Sequence, residues 1–191
     1  MTRQTRAPLE HTNLSATYRQ VRELVRTYKQ ELGLDLNPPY QRGQVWTEDQ
    51  RVALVRSWLT GVPTGVVILS DRMHNEWQGE DATNCVYAVI DGKQRLTTAI
   101  DWYEGTLAVP ASWINPEYIA STEDTDDGPY VRYTGLTKTG RAMVSTHCML
   151  QVAEARVATV QEEAEIYLLV NGGGTPQTDT DMANATRIAQ K

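Results

Sequence analysis

The sequence contains no phenylalanine, and cysteine and histidine are both scarce. Without phenylalanine, the aromatic part of the core has to come from five Trp and nine Tyr residues. The two cysteines, Cys85 and Cys148, form no CxxC pair, so we interpret them as free buried thiols, which fits a reducing compartment. The three histidines are scattered along the chain and show no zinc-ligand spacing; they are His11, His74 and His147.

Several other absences narrow the class of protein. The sequence has no apolar run of about 18 residues that could span a bilayer, and no N-terminal apolar segment resembles a signal peptide. The GxxxxGK[ST] loop, a GxGxxG turn after a strand and a GxSxG nucleophile motif are all missing. We therefore expect a soluble, cytoplasmic protein without membrane contact and without the commonest nucleotide-binding loops.

Length and charge indicate a single domain that does not coat nucleic acid. The chain of 191 residues is interpreted as a loose N-terminal arm, residues 1–14, followed by one domain, residues 15–191. A formal net charge of −6 argues against general nucleic-acid coating, which needs a basic surface. Residues 1–32 carry six basic and three acidic side chains. A solvated helix face explains this excess better than a DNA-facing surface, although both remain open.

Periodicity, capping patterns and turn residues predict a chain of mixed helices and strands. Apolar residues at helical spacing predict a first helix from Ser15 to Leu32. Two later helices begin with a capping box, Thr-x-x-Gln or Thr-x-x-Glu. The further predicted elements are a helix from Thr47 to Gly61, strands at 65–69 and 85–90, a helix at 94–103, an acidic loop at 115–129, strands at 130–133 and 149–157, and helices at 159–170 and from about 178.

The segment Asp91-Gly92-Lys93-Gln94-Arg95 joins the second predicted strand to the helix that follows. The first N–H groups of a helix have no intrahelical acceptor, and the helix dipole favours an anion beside them. Gly92 leaves the backbone open to a ligand, and the planar guanidinium of Arg95 can hold two phosphate oxygens. A cation in the first turn opposes the dipole, which also points to an anion. Asp91 is either a plain helix cap or a carboxylate that acts as a base or contacts a metal ion.

Two other segments are candidates for the walls of the same site. The segment 39–46 places Gln41 and Arg42 in a proline-stiffened loop, where they are either polar contacts of a ligand or parts of a connector. The run of three glycines in 171–176 exceeds what a helix C-cap needs, so it either cradles a ligand or makes a tight reversal.

Three blocks of the sequence together resemble a known family. They are NPPYQRGQVWTEDQRVALVRSWLTGVPTGVVIL, VIDGKQRLTTAIDWY and EEAEIYLLVNGGGTPQT, in that order and spacing. They resemble the domain that opens the GmrSD-type modification-dependent restriction enzymes, whose hallmark is a DGQQR-type motif and whose fold is related to that of ParB and sulfiredoxin. The resemblance implies an α+β fold, with a small mixed sheet flanked by helices and a pocket for nucleotide phosphate. Relatives are linked to NTP binding and hydrolysis, to DNA nicking and to defence against phage.

The resemblance also assigns residues by position. Lys93 stands where Gln is commoner and adds a cation suited to phosphate, and Tyr167 stands where Phe is usual. No HNH-type nuclease region is visible, so cleavage of both DNA strands by such a site is not expected. The positions that match the family's phosphate pocket are Gly92, Lys93, Gln94, Arg95 and Thr97 with Asp91 in the motif, Gln41 and Arg42 upstream, and Asn171, Gly173 and Thr175 downstream.

These observations lead to three functional hypotheses. The first is an enzyme that hydrolyses phosphate esters, as an NTPase or a nicking nuclease. Arg95, Arg42 and Lys93 would then stabilise the phosphate charge, and Asp91 would orient water or a Mg²⁺ or Mn²⁺ ion bound with an NTP. The second is a non-catalytic module that binds a nucleotide or DNA and contacts a host or restriction-system protein. The third is a phosphotransferase that uses the same pocket.

Overall fold

A mixed five-stranded sheet forms the centre of the computed structural model, which describes residues 14–41, 43, 45–79, 85–171 and 179–190. The strands are β1 (Leu14–Gln20), β2 (Leu34–Asp35), β3 (Val66–Asp71), β4 (Tyr87–Asp91), β5 (Ala108–Pro110), β6 (Glu123–Thr125), β7 (Gly128–Arg132) and β8 (Met149–Ala155). The helices are α1 (Val21–Tyr28), α2 (Glu48–Leu59), α3 (Lys93–Glu104), α4 (Lys138–His147), α5 (Val160–Asn171) and α6 (Asp179–Ala189). The central sheet has the order β1-β8-β3-β4-β2, and a second sheet has the order β5-β7-β6. This arrangement confirms the predicted α+β class.

Helices cover both faces of the central sheet. Successive side chains of a strand point to opposite faces, and β3 shows the consequence. Val67 and Leu69 pack in the larger core with α1, α2 and α3, whereas Ile68 packs in a second core with α5 and α6. Val89 and Ile90 divide in the same way on β4. The strands at the centre of the sheet are therefore apolar on both sides, which explains their unbroken β-branched runs.

The predicted first helix is wrong over its first half. Residues 14–20 form β1, which pairs antiparallel with β8, and only residues 21–28 are helical. The helical spacing had included Tyr18 and Leu32, but these side chains are 65% and 63% exposed and contribute nothing to the core. Pairing with a distant strand, reinforced by an ion pair between Arg19 and Glu154, outweighs the local pattern.

The basic excess of residues 1–32 is largely neutralised where the structure describes it. Arg19, Arg26 and Lys29 each form an ion pair with a carboxylate of the chain. This supports the interpretation of a solvated surface.

The predicted acidic loop at 115–129 is also wrong. It contains a 3₁₀ turn at Pro116–Tyr118 and the strand β6, which pairs with β7 as a hairpin. Strand pairing here outweighs a composition of acidic and turn-forming residues. Helix α4 was not predicted, because Gly140 within it interrupts the helical pattern.

Most of the other local predictions are confirmed. Both capping boxes are present, at Thr47 with Gln50 and at Thr159 with Glu162, and each starts a helix. The strands β3, β4, β7 and β8 and the helices α2, α3, α5 and α6 lie close to their predicted positions. Both cysteines are free and buried. No helix in the described part of the chain is long and apolar enough to cross a membrane.

Candidate functional site

The predicted strand, turn and helix around Gly92 are all present. Strand β4 ends at Asp91, Gly92 caps the helix with φ 91° and ψ 15°, and α3 begins at Lys93. Gly92 has no side chain that could cap the helix, and the first turn of α3 contains no acidic residue. The N-terminus of α3 therefore lacks a side-chain cap from Gly92, and the positive end of its dipole has no acidic residue in the first turn, which are features that favour an anion.

Only glycine fits at position 92. A Cβ atom there would lie 2.8 Å from Val67 Cγ2 and 3.1 Å from Val67 Cα, closer than side chains pack. The positive φ is a second requirement, because residues with a side chain rarely adopt it. Gly92 thus lets the turn between β4 and α3 pack directly on β3.

Arg95 connects this turn to the beginning of β3. Its Nε donates a hydrogen bond to the Thr64 carbonyl oxygen at 2.8 Å, and its Nη1 donates to the Val66 carbonyl oxygen at 3.2 Å. The same Nη1 lies 3.6 Å from Oδ2 of Asp91. Two of the three guanidinium nitrogens therefore hold the protein's own backbone. The structure gives Arg95 a positioning role, and its predicted contact with phosphate remains a prediction.

Two glutamines join the loop before α2 to the same segment. The Gln94 side chain donates from Nε2 to the Gly43 carbonyl oxygen at 3.1 Å, and its Oε1 accepts from the Val45 and Trp46 N–H groups at 3.3 and 3.4 Å. Gln41 Nε2 donates to the carbonyl oxygens of residues 89 and 90 on β4 at 3.0 and 2.7 Å. The two predicted walls therefore do meet, which the sequence could not show.

Lys93 is the cation nearest the start of α3 along the chain. Its Nζ donates a hydrogen bond to Oδ1 of Asn37 at 2.8 Å. Burial lowers the pKa of Lys93 below its usual 10.5, and Asp35 opposes part of this effect. Thr97 donates from Oγ1 to the Lys93 carbonyl oxygen at 3.0 Å, so in this structure its hydroxyl serves the helix. Lys93 thus stands at the first position of α3 with its Nζ bound to Asn37, and its predicted contact with phosphate remains a prediction.

Asp91 is the carboxylate of the motif. Its side chain is 26% exposed, and its Oδ2 faces Arg95 across the turn. Within the described ranges, no group of three or more His, Cys, Asp or Glu side chains is arranged to hold a metal ion. A divalent ion beside Asp91 would therefore take its further oxygen ligands from water and a bound phosphate, as Mg²⁺ commonly does.

A buried polar network supports the loop from behind, and sequence reasoning missed it. Arg72 donates from Nε and Nη2 to the two carboxylate oxygens of Glu163 at 2.8 and 2.6 Å. The Tyr40 hydroxyl donates to Oε2 of Glu163 at 3.0 Å, and burial, followed by the Glu163 charge, raises the pKa of Tyr40 well above its usual value. Tyr40 immediately precedes Gln41, so the network anchors the start of the loop. The sequence did contain an indication of this network. Glu163 lies on the same helix face as the apolar residues Ile166 and Tyr167, and a carboxylate that is buried there requires a partner.

Three predicted site residues lie outside the described residues. They are Arg42, Gly173 and Thr175. Asn171 is described as the last residue of α5, and its Nδ2 donates to the Tyr167 carbonyl oxygen at 2.9 Å. The roles predicted for these four residues remain predictions.

The fold and the turn define an α+β domain in which a glycine-capped helix N-terminus follows the end of β4. A family model described as "GmrSD restriction endonuclease, N-terminal domain" matches residues 21–188, nearly the whole chain. The chain belongs to this family, which confirms the resemblance and makes it a restriction-endonuclease-related, nucleic-acid-handling domain. No curated protein and no solved structure matches the chain, so its relation to ParB and sulfiredoxin remains a prediction.

Proposed function

We propose that this chain binds a phosphate group of a nucleotide or of DNA at the N-terminus of α3 and hydrolyses a phosphate ester there. One observation carries the proposal. The left-handed Gly92 turn presents a helix N-terminus that has no side-chain cap and no acidic residue, with Lys93 at its first position. Such a helix end attracts an anion through its N–H groups and its dipole. The family supplies the nucleic-acid context.

Each residue of the segment has a distinct role in this proposal. Lys93 and the first N–H groups of α3 hold the phosphate oxygens. Arg95 positions the turn through the carbonyl groups of Thr64 and Val66 and adds positive charge. Arg42 stays in the proposal because its chain neighbours, Gln41 and Gly43, are both tied to the segment 89–94.

Asp91 orients the attacking water or contacts a divalent ion. A Mg²⁺ or Mn²⁺ ion, when bound with the phosphate, would neutralise negative charge on its oxygens. Asp91 is the carboxylate of the motif that could hold it, and phosphate oxygens would complete the ligand set. Within the described residues, no group of three or more Asp, Glu, His or Cys side chains is arranged to hold a metal ion, so the ion would depend on water and the bound phosphate for further ligands.

The proposal is tested by measuring NTP hydrolysis and nicking of supercoiled plasmid with Mg²⁺ or Mn²⁺. Lys93→Ala should weaken nucleotide binding about 10- to 150-fold, because a hydrogen bond to a charged group contributes roughly 1.5–3 kcal/mol. Asp91→Asn should lower turnover about 100-fold, as expected for loss of a group that handles the water proton. Lys138→Ala removes an exposed cation at the start of α4 and is the matched control. A wild-type protein that neither hydrolyses NTPs nor nicks DNA contradicts the enzymatic proposal.

A second candidate, a non-catalytic module that senses nucleotide or DNA, is favoured by one observation. Most polar side-chain atoms of the motif are already hydrogen-bonded within the protein. Arg95 binds the carbonyl groups of Thr64 and Val66, and Gln94 binds backbone groups of the loop before α2. A segment organised in this way can bind phosphate without catalysing a reaction. Calorimetry that shows nucleotide binding, together with no turnover in the assays above, selects this candidate.

The pH dependence of phosphate binding should report Lys93. Its pKa in the folded state is lowered, so phosphate affinity should be full below that pKa and fall as pH rises through it, beginning below 10.5. The free energy of unfolding of the ligand-free protein has the opposite pH dependence. Because the pKa of Lys93 is lower in the folded than in the unfolded state, this free energy rises with pH in the same window. Calorimetric titration with a non-hydrolysable ATP analogue from about pH 8 to about pH 10 measures the fall while phosphate itself stays ionised. Lys93→Arg should remove it, and an unchanged profile in that variant excludes Lys93 as the phosphate cation.

A further inference from the structure

The smaller sheet and the 3₁₀ turns at Ala111–Trp113 and Pro116–Tyr118 line an open groove that lies outside the proposed phosphate site. The groove has a volume of about 480 Å³. Its lining is mainly apolar and includes the hydroxyl residues Ser112, Ser121 and Thr122. The apolar residues are Ala111, Ile114, Pro116, Ile119, Ala120 and Pro129. A space of this size and lining accommodates a large apolar side chain.

A second, polar cavity continues from the groove. It has a volume of about 120 Å³ and shares Ser121 and Thr122 with the groove. Its other walls include Glu123, Tyr130 and Arg132. The two cavities therefore adjoin at Ser121 and Thr122, and we call the pair of them, apolar at one end and polar at the other, the track.

The surface around this track is strongly acidic. Residues 111–135 contain five carboxylates and one cation, Arg132, in a chain whose net charge is −6. Arg132 is neutralised by Glu123 through two hydrogen bonds of 3.0 Å. Asp124 and Asp126 are exposed and form no ion pair with any residue in the described part of the chain. The track therefore lies in a negative field that repels nucleic-acid phosphate and attracts cations.

Helix α2 contributes further to this field. The pKa of Tyr130 is raised, first by its hydrogen bond to Asp127 and, more weakly, by the charges of Asp49 and Glu48. The carboxylates in the first turn of α2 therefore act on the same surface as those of the hairpin.

Strand β6 offers backbone groups beside the track. It is an edge strand of the sheet β5-β7-β6, and no described residue pairs with its outer side. Charged residues on an edge strand commonly prevent aggregation, and Glu123 and Asp124 could serve only that purpose. Protection of an edge does not, however, require an apolar groove beside it. The combination of groove, open edge and acidic rim is the pattern of a peptide-binding surface.

We propose that this track, between the turn at Pro116–Tyr118 and strand β6, is a docking site for an extended basic segment of a partner protein. One apolar side chain of the segment enters the groove, and its neighbouring Lys or Arg residues meet Asp124 and Asp126. Its backbone pairs with the outer edge of β6. A second copy of this chain fits less well, because two copies with a net charge of −6 repel each other.

The probe for this proposal is a fluorescein-labelled decapeptide in which lysine and leucine alternate, with a glutamate-for-lysine peptide as its counterpart. Fluorescence polarisation should show saturable binding of the basic peptide, weaker at higher salt, and no binding of the acidic one.

Asp124→Asn combined with Asp126→Asn should weaken binding about tenfold, a factor that corresponds to about 1.4 kcal/mol. Ala120→Arg, a change at an exposed position of the groove, should weaken it at least as much. The control pair Glu31→Asn and Glu165→Asn removes two exposed carboxylates elsewhere and should change affinity less than twofold.

Thermal unfolding of each variant checks that it is folded, and three results overturn the proposal. The first is an equal loss of affinity in the control pair, which means unspecific attraction. The second is no binding of the basic peptide at about 1 mM. The third is self-association in sedimentation experiments that Ala120→Arg abolishes, because the groove then serves a second copy of the chain. The phosphate assays are independent of all three, so neither proposal depends on the other.

Discussion

Glu163→Ala is expected to destabilise the protein by about 3–5 kcal/mol, since it removes the carboxylate that accepts two hydrogen bonds from the buried Arg72 and leaves that cation with the more distant Asp35, 3.7 Å from its Nη1. The side chains of Arg72 and Glu163 are only 1% and 0% exposed. Arg72 would lose two hydrogen bonds of 2.8 and 2.6 Å, and the Tyr40 hydroxyl would lose its acceptor at 3.0 Å and keep the Val89 carbonyl oxygen at 3.4 Å. Urea unfolding followed by circular dichroism measures the change in free energy of unfolding.

Two comparisons isolate the cause of this effect. Glu165→Ala changes an exposed residue of the same helix and should alter the free energy of unfolding by less than about 0.5 kcal/mol. The double variant Arg72→Met with Glu163→Leu should recover much of the loss, because an apolar pair leaves no buried charge. A loss below about 1 kcal/mol for Glu163→Ala would mean that Asp35 or water compensates the charge of Arg72.

Gly92→Ala should have the second largest effect, on both stability and phosphate binding. A positive φ of 91° strains alanine by about 1–3 kcal/mol, and the contact of its Cβ with Val67 adds about 1–3 kcal/mol of overpacking. Movement of the turn would also shift the first N–H groups of α3. The stabilisation by NTP with Mg²⁺ that thermal unfolding is expected to show for the wild type should therefore disappear.

Gly61→Ala is the matched control for this variant. Gly61 also has a positive φ, 72°, but a Cβ there meets nothing within 4 Å. It should therefore lose only the strain of a left-handed residue, about 1–2 kcal/mol, and keep the nucleotide effect. If both variants lose equal stability, the contact with Val67 contributes nothing. If Gly92→Ala keeps the nucleotide shift, the anion does not bind at this turn.

Arg95 contacts parts of the chain that lie far from its own segment. The sequence placed a guanidinium in the first turn of a helix, and an unfavourable charge there suggested a bound anion. The structure supplies other acceptors, the carbonyl groups of Thr64 and Val66, about thirty positions earlier in the chain. A distant backbone that completes a local site is invisible to any pattern confined to the segment itself.

The sequence by itself determined the elements whose causes are local. The turn at Gly92, the capping boxes and the β-branched strands depend on residues within a few positions of one another, and they were predicted correctly. Tertiary structure alone decided β1 and β6, because each becomes a strand only by pairing with another strand. It also decided the burial of Arg72 against Glu163, 91 positions apart. Hydrogen bonds and ion pairs between residues so far apart in the chain depend on which surfaces of the fold pack together, and a single sequence does not show this.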